Sequence, residues 1–147
     1  MNMYPDKKQL ELLIELQPII KAKMGEWRIG DYGYIDCHEY DYTDKIGLCK
    51  YIHIYQGRTL IRLSNSLEGD YLADDERIIR LPAIIDPVNP ERGLFGMINW
   101  ETWSFSFDGI AFIKNEDGLT TFFDDSIVTV LLRALYFQEV LQKDPGE

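Results

Sequence analysis

The cysteines and histidines of this chain all fall within seventeen residues, as Cys37-His38 and Cys49-x3-His53. Two thiols and two imidazoles are the right number and type of ligand for tetrahedral zinc. The spacing works against that chemistry. Neighbouring residues on a strand point to opposite faces, so Cys37 and His38 cannot share an ion without a bulge. Arg58 and Arg62, on the strand face predicted for His53, would also repel a cation. Cys37, Cys49 and His53 are thus the residues a metal would use, and the expectation is that no metal or cofactor is bound. A Cys/His nucleophilic pair needs thiol and imidazole in contact. Cys49 and His53, four apart on one strand, are separated by about 13 Å. Cys37 could meet His53 only across strands.

Other signatures are weaker. Asp36, Glu39, Asp41 and Asp44, like Asp70, Asp74, Asp75 and Glu76, do not follow the alternating ladder of an EF-hand loop. Neither a phosphate-binding P-loop nor a G-x-G-x-x-G turn occurs. Trp27, Trp100 and Trp103 read as core packing rather than a ligand cage.

The better candidate is a hairpin face. Ile46–Tyr55 and Arg58–Leu63 flank Gln56-Gly57, which predicts two strands joined by a two-residue turn. That loop length places Tyr55 opposite Arg58, His53 opposite Leu60, and Tyr51 opposite Arg62. Alternation then puts Ile52, Ile54, Ile61 and Leu63 on the core side. Cys49, Tyr51, His53, Tyr55 and both arginines fall on the other side. Tyrosine and arginine are enriched where surfaces become interfaces. Tyr51, Tyr55, Arg58 and Arg62 are therefore the predicted contact residues.

The elements that must position this face follow from local signals. Asp6 caps a first helix, with Gln9 at capping-box spacing. Leu10, Leu13, Ile14, Ile20 and Met24 recur at helical spacing, Pro18 should kink or split the helix near Gln17, and Gly25 stops it. Tyr32–Tyr40 reads as a strand whose carboxylates place it at an edge or in solvent. Ser64–Glu76 reads as an acidic loop, and Arg77–Leu81 as a short strand ended by Pro82. A short helix is expected from Pro90 to about Ile98, capped by Asn89. Trp103, Phe105 and Phe107 alternate with serines, as in a half-buried strand. Asp108-Gly109 predicts a hairpin, and Asn115–Gly118 a second, four-residue turn. Asp124 and Asp125 offer caps for a largely apolar helix to about Leu141, of the kind buried on most sides.

The fold class predicted is α+β: one domain over residues 1–147, with a mostly antiparallel sheet of five to seven strands. The N-terminal and C-terminal helices should pack on one face of it. The chain has 25 carboxylates against 15 Lys and Arg, a net charge of −10. That balance repels nucleic-acid phosphates and leaves a basic protein partner open. The carboxylates cluster in Asp31–Asp44 and Glu68–Glu76, stretches without a basic residue. No apolar run approaches the roughly 20 residues of a membrane span. The polar Met1–Asp6 and the charged helix after it do not read as a signal peptide. With two cysteines, this points to reduced thiols in a cytoplasm.

Several short stretches carry a resemblance. Trp27 and Gly30-Asp31 follow the first helix; then come Arg80-Leu81-Pro82, Asn89-Pro90-Glu91-Arg92-Gly93-Leu94 and Leu131-Leu132-Arg133-Ala134-Leu135. In this order they resemble the small uncharacterised proteins encoded by tailed phages and bacterial prophages. The resemblance implies a bacterial cytoplasm during phage growth or lysogeny, and brings no catalytic residues with it. The function expected is that of a non-enzymatic accessory protein acting by protein contact or self-association. The rival expectations are an acidic DNA mimic that inhibits a host nuclease or regulator, and a small hydrolase or metal-dependent enzyme around His38 or His53.

Overall fold

The computed structural model describes residues 4–35, 45–65 and 69–141, which gather into two compact units. One comprises the described parts of Met1–Ile19 and Ala83–Glu147, the other Ile20–Pro82. Helix α1 (Lys7–Met24) gives residues to both. Its start is the predicted capping box. The Gln9 N–H donates to the Asp6 carboxylate at 2.8 Å, and the Asp6 N–H donates to Gln9 Oε1 at 2.9 Å. The helix is not split at Pro18. The proline removes a ladder donor, and the Gln17 side chain adds one in the same turn, to the Leu13 carbonyl at 3.1 Å. Gly25 ends the helix in the left-handed region, φ 71°, with its N–H on the Lys21 carbonyl.

The Ile20–Pro82 unit holds a five-stranded antiparallel sheet: β1 (Tyr32–Ile35), β2 (Ile46–Tyr55), β3 (Arg58–Leu63), β4 (Tyr71–Leu72) and β5 (Ile78–Leu81). Their order is β4-β3-β2-β1-β5. β1 is therefore interior, not the edge strand its carboxylates suggested. Gly33 and Ile35 face inward, and a side chain at Gly33 would meet Ile78 at 2.9 Å. The predicted extension of this strand to Tyr40 lies outside the described residues. The core here is Trp27, Ile35, Cys49, Ile61, Leu63 and Ile78.

The other unit holds a three-stranded meander, β6 (Trp103–Phe107), β7 (Ala111–Asn115) and β8 (Thr121–Asp124). Helix α3 (Ile127–Tyr136) packs against β7 and β8 and continues as a wider turn to Leu141, where the sequence ended it. Ser126 is the cap, accepting from the Thr129 N–H, and Asp124 supports it by accepting from the Ser126 N–H. Gln9 of α1 donates to Ser126 and Thr129 at 3.1 and 3.0 Å. Leu131, Leu132 and Leu135 are fully buried with Ile113, Leu94 and Met97. Each such side chain contributes about 1.5–3 kcal/mol of burial.

Pro90–Ile98 breaks into a 3₁₀ turn (Pro90–Arg92) and helix α2 (Leu94–Met97) at Gly93, which is extended at φ −92°, ψ 161°. Asn89 makes no side-chain cap; Asp86 instead accepts from the N–H groups of Val88 and Asn89. The class is the α+β one predicted, with helices packed on antiparallel sheet, and the strands are shared between two sheets.

Candidate functional site

The candidate site is built on the β2–β3 hairpin. Gln56 and Gly57 both have positive φ, 52° and 76°. This is the mirror-image turn whose twist suits a two-residue hairpin. It holds the predicted register: Tyr55 opposite Arg58, His53 opposite Leu60, Tyr51 opposite Arg62.

One part of the predicted face is corrected. The ladder shifts between Cys49 and Tyr51, so that Cys49 pairs with Leu63 while Tyr51 pairs with the adjacent Arg62. Lys50 is the extra residue of a β-bulge. An unbroken strand would place Lys50 on the face of Ile52, in the core. The bulge leaves Lys50 exposed and turns Cys49 inward, where it is fully buried. Cys49 and His53 therefore lie on opposite faces, and they form neither a nucleophilic pair nor half of a metal site. Burial pushes the Cys49 thiol up, so it is protonated and unreactive. Among the described residues no cluster of three or more His, Cys, Asp or Glu could hold a metal. Cys37 and His38 lie outside the described residues.

On the outer face Tyr51 and Tyr55 are 52% and 60% exposed, and Arg58 is exposed. Arg62 donates through Nε to Asp70 at 2.7 Å, and its guanidinium lies 6.0 Å from the Tyr51 ring centre. His53 Nε2 lies 3.3 Å from the other Asp70 oxygen, and its ring is 5.0 Å from Tyr51. Asp70 thus ties two strands of the face together from the chain before β4. From Lys45 to Asn65 the sequence carries Lys45, Lys50, Arg58 and Arg62 and no carboxylate, in a chain of net charge −10. The hairpin is a basic island, legible in the sequence as an unbroken absence of acids.

The inner face ends in a cleft of about 630 Å³, lined in part by Lys21, Trp27, Ile52, Ile54, Ala73 and Arg80. Arg80 is buried, with its guanidinium 4.5 Å from the Trp27 ring centre. It donates to the Gly25 carbonyl and, at 3.1 Å, to Asp31. Trp27 Nε1 donates to the Ala73 carbonyl at 2.8 Å. One cation therefore pins the end of α1 and the turn before β1 to β5, and builds a wall of the cleft. Sequence reasoning missed Arg80, because its neighbours come from three separate stretches of chain.

The acidic stretch after Asn65 contributes to the site through ion pairs. Asp70 binds Arg62 and His53, and Asp75 binds Arg77, whose guanidinium holds the carboxyl below its usual range. Two carboxylates are thereby removed from any phosphate-like array. Of the predicted acidic cluster nearer the N-terminus, Asp36, Glu39, Asp41 and Asp44 lie outside the described residues. Among the described residues no helix is long and apolar enough to cross a membrane. No family model, curated protein or solved structure compared with this chain matches it.

Proposed function

We propose that this protein acts as a binding module for another protein, with the Tyr51, Tyr55, Arg58 and Arg62 face of the hairpin as its contact surface. The observation that carries this reading is the contrast in charge and exposure: a basic, tyrosine-bearing face on an acidic chain. Tyrosine and arginine supply large contact area and directional hydrogen bonds at modest rotamer cost. The Asp70 pairs hold Arg62 and His53 in place before any partner arrives, which reduces the entropy lost on binding. The resemblance to phage and prophage proteins supports looking for the partner in a bacterial cell.

The test is capture from a bacterial lysate with wild-type protein and a Tyr55→Ala/Arg58→Glu variant, followed by calorimetry with the captured partner. The partner should be lost or bound at least about tenfold more weakly, roughly 1.4 kcal/mol. Folding stability should stay within about 0.5 kcal/mol, since both sites are exposed. Equal binding by the variant would sink the reading.

A further inference from the structure

The hairpin also carries an open strand edge beside an apolar cleft. β1 pairs with β2 only from Ile46 to Leu48. The chain before β1 takes up Cys49: the Gly30 N–H donates to the Cys49 carbonyl at 2.9 Å and the Cys49 N–H donates to the Asp31 carbonyl at 2.7 Å. Beyond this point β2 runs on to Tyr55, and among the described residues no strand pairs with it on that side. In an antiparallel ladder alternate residues direct N–H and C=O toward the partner strand and away from it. A two-residue turn makes Tyr55 and Arg58 a bonded pair. Tyr51, His53 and Tyr55 therefore face β3, and Ile52 and Ile54 direct both main-chain groups outward. Thr59, opposite Ile54, has the same parity, and its carbonyl accepts from Ala73 N–H on the far side of β3.

The side chains of Ile52 and Ile54 point into the cleft, and Ile54 is 74% exposed. A bare isoleucine beside unpaired ladder groups is what proteins normally avoid at an edge, because it invites another strand. Charge then selects the occupant. Edge-to-edge pairing with a second copy would join two hairpins that carry cations and no carboxylate, so no opposite charges would meet across the new strand pair. A segment rich in carboxylates brings the opposite charge to that face. Glu26 and Asp74 line the cleft together with Lys21 and Arg80, so its charges balance and the residues that enter it should be uncharged.

We infer that the free edge of β2 at Ile52 and Ile54 takes an extended segment of a partner protein by strand addition. Its inward side chains are apolar and fill the cleft against Ile52, Ile54 and Trp27. Its outward side chains are acidic and lie beside Tyr51 and Tyr55, on the face that carries Arg58 and Arg62 one strand further in. This rests on the binding-module reading and names the chemistry of the partner.

The probe is a displayed library of random short peptides, selected on the full chain. The expected winners alternate acidic and apolar residues. Ile54→Pro should weaken the best of them at least tenfold, because proline deletes an N–H aimed at the peptide and spares the ladder to β3. The same peptide N-methylated at alternate residues should fail on the wild-type protein, which keeps the test intact if Ile54→Pro does not fold. Winners without alternation, no winners, or binding that survives both changes would overturn the inference. If binding survives Ile54→Pro and is lost in Tyr55→Ala/Arg58→Glu, the outer-face reading stands and strand addition falls. A wild-type dimer that Ile54→Pro converts to monomer would make a second copy the occupant, and would also overturn it.

Discussion

The β2–β3 hairpin and the β6–β7–β8 meander are both antiparallel, and both leave large side chains in solvent, but they leave different things bare. On the meander Ser106, Phe112 and Phe123 form one row across the three strands, and Phe123 is 64% exposed. With the nearby Ile110 they border an open depression of about 550 Å³. The central strand β7 is paired on both sides, so it offers side chains only. The hairpin offers tyrosines, cations and the main-chain groups of Ile52 and Ile54, which are unpaired among the described residues. An apolar row is sticky but carries no register. A strand edge sets out main-chain donors and acceptors at a fixed spacing, and the charge beside it has one sign, so the hairpin is the more specific surface of the two.

The groups that hold the hairpin's cleft carry the largest expected effect. Arg80→Ala removes the cation shared by Gly25, Asp31 and Trp27 and takes the ion-pair partner from a largely buried Asp31 carboxylate. The expected loss is about 3–5 kcal/mol, read by denaturant unfolding. No group on the meander's exposed row should come close; Phe123→Ser should change stability by less than about 0.5 kcal/mol.

Matched truncations under the two sheets come next. Ile61 beneath the hairpin and Ile113 beneath the meander are both fully buried. Each change to Ala should cost about 2–5 kcal/mol. A near-neutral result at either would show that sheet to be poorly packed.

The turns differ by less. Gln56 holds a left-handed conformation that costs a non-glycine residue about 1–2 kcal/mol, whereas the meander places Gly109 and Gly118 at the equivalent strain, φ 75° each. Gln56→Gly should raise stability by up to about 1 kcal/mol, and Gly118→Ala should lower it by about the same. Thermal or denaturant unfolding reads both, and a loss with Gln56→Gly would contradict the turn assignment.

Acid gives the smallest expected effect. Asp117 in the β7–β8 turn is held below the usual carboxylate range by the Thr120 N–H, then by the Thr120 hydroxyl and the Leu119 N–H. Asp75 beside the hairpin is lowered first by Arg77. A carboxyl depressed in the folded state stabilises above its unfolded pKa of about 3.9, and that stability is lost as pH falls through the lower folded value. Asp117→Asn and Asp75→Asn should each flatten the loss of stability below about pH 4. Added salt should weaken the Asp75 effect more, because an exposed ion pair is screened.

Much of this molecule was legible in its sequence. The hairpin register followed from a two-residue turn, and the start of α1 from a capping box closed within four residues. The end near Leu141 followed from apolar periodicity. In the meander the turns were placed to within a residue. The pairing of Phe107 with Ala111 makes the first connection three residues, Asp108–Ile110, and that of Asn115 with Thr120 makes the second Glu116–Leu119. Trp103 is buried, as its alternation with the serines predicts, and Ile113 of the central strand is fully buried, while Phe107 at the far end of the same row is exposed. The outward rings of Phe112 and Phe123 went unread, because alternation gives two faces and does not say which is covered.

Caps, turn conformations, alternation and the basic charge of Lys45–Asn65 depend on neighbours a few residues away and can be read along the chain. Which side Cys49 takes, where β1 lies in the sheet, what Arg80 holds and how far β1 covers β2 depend on contacts between stretches far apart in sequence. The bulge at Lys50 keeps a lysine out of the core, a requirement that arises only where Trp27, Ile35, Ile61, Leu63 and Ile78 pack together with Cys49. The free edge has the same origin. Ile52 and Ile54 look like ordinary core residues until β1 stops at Leu48 and leaves their main-chain groups in the open.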